Sequence, residues 1–125
     1  MSANPTPLYL EDPLSIDEAR KASRTLAQQR RMAEQELEKA VENAAAAEAV
    51  YRKRLATAHA EVAGHGTAAQ RDAQARSMAA DDAYERDLTA GMVKVFQERL
   101  RGLEGERSQL RALMDLSART FGAAA

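Results

Sequence analysis

Apolar positions along this chain fall into two long helical stripes separated by a glycine break. From Ala33 the first stripe continues through Leu37, Ala40, Ala44, Ala47, Tyr51, Leu55, Ala58 and Val62 in steps of three and four. That spacing keeps one face of an α-helix apolar. It predicts a first helix over about residues 15–63, opened by Ser15-Ile16-Asp17-Glu18. The S-x-x-E order is that of a capping box, and the two acids suit the positive end of the helix dipole. At about 1.5 Å per residue such a helix is a rod of about 70 Å.

Gly64-His65-Gly66 interrupts the pattern, so residues 64–66 are expected to turn. Thr67 and Gln70 then form a second capping-box pair. A second helix is expected over about residues 67–121, its stripe running through Tyr84, Leu88, Met92, Phe96, Leu100, Leu103, Leu110 and Met114. The helix is expected to weaken near Gly91; Gly102 and Gly105, three apart, each lower its helix propensity by about 1 kcal/mol relative to alanine. They mark either a bend or a close helix crossing. Residues 1–14 hold all three prolines and are expected to be an extended tail, and residues 122–125 a frayed end.

Composition narrows the fold. Ala, Leu, Glu, Arg and Lys make up 70 of 125 residues, with 28 alanines, whereas Leu, Ile, Val and Phe together number only 20. Such a chain has too few large apolar side chains for a dense globular core, yet its net charge of −1 does not point to disorder. Helices burying narrow alanine-rich stripes against one another reconcile the two. The expectation is a single all-α domain over 15–121, an antiparallel hairpin of two long helices that assembles into a helical homo-oligomer.

Several kinds of chemistry drop out. With no cysteine there is no disulfide framework, thiol nucleophile or cysteine-ligated zinc. No apolar run reaches the roughly 18 residues of a membrane span, and no signal-peptide pattern is seen. His59 and His65, six apart, do not share a helix face, and no phosphate-loop or HExxH pattern occurs. Asp81 and Glu85 stand one turn apart within an acidic cluster that includes Asp82 and Asp87. They suit a divalent cation on paper and a solvated acidic face more simply. The expectation is therefore a non-enzyme with no cofactor or metal.

The placement of positive charge is more informative than its total. Arg52-Lys53-Arg54 lies in a stretch from Ala49 to Ala60 with no acidic residue, downstream of Glu34, Glu36, Glu38, Glu42 and Glu48. The triplet fits ion pairing with a neighbouring helix or contact with phosphates, a sequence-independent and salt-sensitive interaction. Tyr51 beside it serves either the helix stripe or base stacking. A second basic set, Lys94, Arg99, Arg101, Arg107 and Arg111, is interleaved with Glu98, Glu104 and Glu106 and reads mostly as surface pairing along the helix. Arg107 interrupts the stripe between Leu103 and Leu110, either snorkelling or setting register at an interface.

These features together resemble the UvsY recombination mediators of tailed phages. The resemblance is carried by Tyr51-Arg52-Lys53-Arg54-Leu55 before the Gly64/Gly66 break, then by Ala80-Asp81-Asp82, Asp87, the apolar run from Gly91 to Leu103, and Arg107. It covers roughly residues 50–116. It implies a small all-helical protein forming ring-like homo-oligomers in the bacterial or infected-host cytoplasm. Such a protein binds single-stranded DNA and helps a RecA-like recombinase load onto DNA covered by single-strand-binding protein. On that resemblance Arg52 and Arg54 fall at the DNA-contacting positions, with Lys53 as an added charge. The chain is poorer in aromatics than the family, which leaves phosphate contact better supported than base stacking. The alternative is a structural coiled-coil adaptor, as in phage morphogenesis, without nucleic-acid binding. A cation-dependent helical enzyme using Asp81 and Glu85 is the third reading.

Overall fold

The computed structural model describes residues 15–124, and side chains as far as Thr120; the expected tail, residues 1–14, lies outside the described residues. The described residues are all-helical, 93% helix in three helices: α1 (Ile16–Val62), α2 (Ala68–Met78) and α3 (Ala80–Ala124). No helix among the described residues is long and apolar enough to cross a membrane.

Local chemistry sets the helix ends. Ser15 caps α1, its hydroxyl accepting from the Glu18 amide at 3.1 Å while the Glu18 carboxylate receives the Ser15 amide at 3.4 Å. After Val62 the chain turns through Gly64 and Gly66, both at positive φ (82° and 77°), which costs glycine little and other residues more. Thr67 then caps α2 with a reciprocal box to Gln70, at 3.1 Å and 2.9 Å. The second long helix expected over 67–121 is instead divided at Ala79, where φ −99° and ψ 11° depart from helical values. The break falls at a buried alanine rather than at Gly91, where α3 is continuous. Hydrogen bonds from Ala79 N to Ala75 O (3.2 Å) and from Ala83 N to Ala79 O (2.9 Å) still bridge the division.

The described residues form two compact units, 35–97 and 15–34 with 98–124. In the first, the α1 stripe points inward: Ala40, Ala58 and Val62 are buried and Leu37, Ala44, Ala47, Tyr51 and Leu55 half-buried. Ala58, Val62 and Ala75 make its apolar centre, with Leu55 and Met78 packed on it. Alanine dominates because a side chain of one methyl lets helix backbones approach closely. In the second unit Ala19, Leu26, Ala33 and Leu110 are buried. The inward column of α1 thus reaches back through Ala22 and Arg30, both half-buried, to Ala19, well before Ala33. Arg30 occupies a core position of that column and reaches across to Glu104 at 2.8 Å.

The expected stripe of the second half is correct only in part. Phe96, Leu100 and Leu103 are half-buried and Leu110 buried, but Tyr84, Leu88, Met92 and Met114 are exposed. The inward residues nearer the start of α3 are Ala83, Arg86, Thr89 and Val93. Each four-residue step overshoots a full turn by about 40°. Three such steps separate Phe96 from Tyr84, a rotation of about 120° that carries Tyr84 out to solvent.

Candidate nucleic-acid interface

Arg52, Lys53 and Arg54 occupy consecutive positions of α1 just before Leu55, whose side chain packs on the apolar centre. Successive residues of a helix splay by about 100°, so the three side chains fan over the outer surface. All three are exposed. Arg52 donates through Nε to the Glu48 carboxylate one turn earlier, at 2.8 Å, while remaining 76% exposed. Neither Lys53 nor Arg54 has a side-chain hydrogen bond or ion pair among the described residues. Pairing of the triplet with a neighbouring helix of the same chain, one of the two expectations, is not formed there. The patch is two open cations beside one that is locally compensated.

Tyr51 is tied up differently. Its ring lies 4.1 Å under the Arg86 guanidinium, a cation–π contact that occupies one face. Arg86 is held by Asp87 at 3.0 Å and approaches Glu48 at 3.9 Å. The hydrogen bond to Asp87 raises the Arg86 pKa above its ordinary value, with Tyr51 adding to the rise. Glu48 therefore bridges Arg52 on α1 and Arg86 on α3, and one tyrosine face is closed to a base. Arg86 falls among acids in the sequence, and its inward position on α3 was not anticipated.

The other candidate groups are dispersed. His59 stands 3.8 Å from Asp72 of α2, and His65 is exposed in the turn. Asp87 is committed to Arg86, while Asp81 and Glu85 are exposed. Among the described residues no three acidic or histidine side chains cluster closely enough to hold a metal ion.

The second basic set departs from simple pairing along the helix. Arg101 pairs with Glu98 at 2.7 Å. Glu104, however, is drawn across to Arg30, leaving Arg107 and Arg111 without a side-chain partner among the described residues. A partner on another helix cannot be read from i, i+4 spacing, and Arg30 on the α1 column was the available clue.

No family model, curated protein or solved structure matches this chain.

Proposed function

We propose that this chain is a single-stranded-DNA-binding recombination mediator. In this reading α1 and the α2–α3 segment form an antiparallel helical hairpin that assembles into a homo-oligomer. The assembly helps a RecA-like recombinase displace single-strand-binding protein and load onto DNA. The reading is carried by one observation: Lys53 and Arg54 are exposed cations with no partner among the described residues, next to a third exposed arginine. The resemblance of the 50–116 region to UvsY mediators points the same way. Phosphate contact is the chemistry such a patch performs, and repetition around an oligomer multiplies weak contacts into avidity. No bond is made or broken.

Gel-shift titration of single- and double-stranded oligonucleotides at two salt concentrations tests it. The expected result is a salt-sensitive preference for the single strand, weakened in an Arg52→Ala/Arg54→Ala variant. The slope of log affinity against log salt should fall by about 0.7 for each phosphate contact removed. Absence of a single-strand preference, or unchanged affinity in the variant, would overturn the reading. The adaptor reading draws on a different observation, the exposed apolar residues Tyr84, Leu88, Met92 and Val95 on α3. It expects self-association without nucleic-acid affinity.

A further inference from the structure

We infer that the unit formed by the start of α1 and the end of α3 carries an oxyanion site of its own, separate from the triplet, that receives a phosphate group. Arg30, Arg107 and Arg111 line a groove of about 310 Å³ whose apolar wall includes Leu26, Leu110 and Met114. Three guanidiniums on one concavity is an unusual use of charge for a chain this close to neutrality. Arg107 and Arg111 stand one turn apart on the same face of α3, where like charges repel. Neither is neutralised by a side chain among the described residues.

Arg30 is held differently from the other two. Its Nη2 is bound to Glu104 at 2.8 Å and approaches Glu34 at 3.5 Å, but its Nε is buried and has no acceptor among the described residues. A buried donor without an acceptor is rare in a folded protein, because it has given up water for nothing. Three carboxylates temper the site: Glu104 and Glu34 on Arg30, and Asp115 on the groove wall. None of them touches Arg107 or Arg111, so two complete guanidinium forks remain to be filled. A tetrahedral oxyanion matches that donor set, since each fork offers paired N–H groups to two oxygens. The apolar wall lowers the local dielectric and strengthens the attraction.

The phosphate has two possible sources, the backbone of a nucleic acid or a free phosphate compound, and the same chemistry recognises both. The site does not depend on the triplet, so the two stand or fall separately. Calorimetric titration of the full chain with inorganic pyrophosphate at low salt is the first arm. Binding is expected in wild type and in the Arg52→Ala/Arg54→Ala variant. It should weaken by about tenfold or more in Arg107→Ala/Arg111→Ala, where two charged hydrogen-bond donors are lost. Both arginines are exposed, so helicity by circular dichroism should be unchanged.

On the wild-type chain, pyrophosphate should shift the side-chain Nε–Hε NMR signals of Arg30, Arg107 and Arg111. The second arm titrates a single-stranded oligonucleotide. A salt slope lower by about 1.4 in the groove variant would assign the site to backbone phosphates. An unchanged slope alongside lost pyrophosphate binding would assign it to a free phosphate compound. No pyrophosphate binding by wild type, equal binding by the groove variant, or NMR shifts confined to Arg52 and Arg54 would overturn the inference.

Discussion

The glycines of this chain do opposite things, and φ separates them. Gly66 sits at φ 77°, and a methyl added there would stand 2.6 Å from Gln70 Oε1, the atom that completes the α2 capping box. Gly66→Ala is expected to destabilise the protein by about 1–2 kcal/mol, through the left-handed backbone penalty and the disturbed cap. Gly102 lies inside α3 with nothing within 4 Å of an added Cβ. Gly102→Ala should therefore stabilise by about 0.5–1 kcal/mol, the ordinary helix-propensity difference. Urea unfolding midpoints of the two variants check both signs. A loss of stability in Gly102→Ala would mean that something beyond this chain packs against α3 there. Of the two expectations for Gly102 and Gly105, a bend or a close crossing, the crossing is not made among the described residues, as added methyls there would meet open space.

Elements differ in how directly their sequence reports their inner face. In α1 the alternation of three- and four-residue steps stays in phase with 3.6 residues per turn, so the stripe from Ala33 to Val62 coincides with the inward column. At its tightest point Ala58 is completely buried against the centre formed with Val62 and Ala75. Ala58→Leu should cost about 1–3 kcal/mol by overpacking. In α3 the large apolar residues drift out of phase, so size and burial separate. Leu110, 3% exposed, should lose about 2 kcal/mol or more on truncation to alanine. Tyr84, 69% exposed, should change stability by less than about 0.5 kcal/mol when truncated. Thermal or urea unfolding of the pair distinguishes the observed α3 face from the one read by counting apolar residues.

At the scale of the whole molecule the scarcity of large buried side chains is the governing fact. Nine apolar residues are buried among the described ones, and six of them are alanine. Burying a methyl removes little surface from water, so helix propensity and capping must carry much of the stability. Tyr84, Leu88 and Val95 lie on the α3 face turned away from Arg86, Thr89 and Val93, and are available to a second copy. If they join copies of the chain, Leu88→Lys/Val95→Lys should lower the mass measured by sedimentation while leaving circular dichroism intact. An unchanged mass would show that this face does not join copies of the chain.

Read alone, the sequence determined the helical class, both capping boxes, the Gly64–Gly66 turn and the inner face of α1 from Ala33 to Val62. All are local: a cap, a positive φ or a periodic face is settled within a few residues along the chain. Tertiary structure decided the division at Ala79, the inner face of α3, and where the charges go. Tyr51 was legible as a stripe residue, but its cover by Arg86 was not. Glu104 looked available to arginines on its own helix until Arg30 took it, leaving Arg107 and Arg111 without a side-chain partner among the described residues. Ion pairs between residues 74 positions apart in sequence depend on which helix faces meet. That choice is made by packing, and in an alanine-rich chain the sequence offers many faces of nearly equal quality.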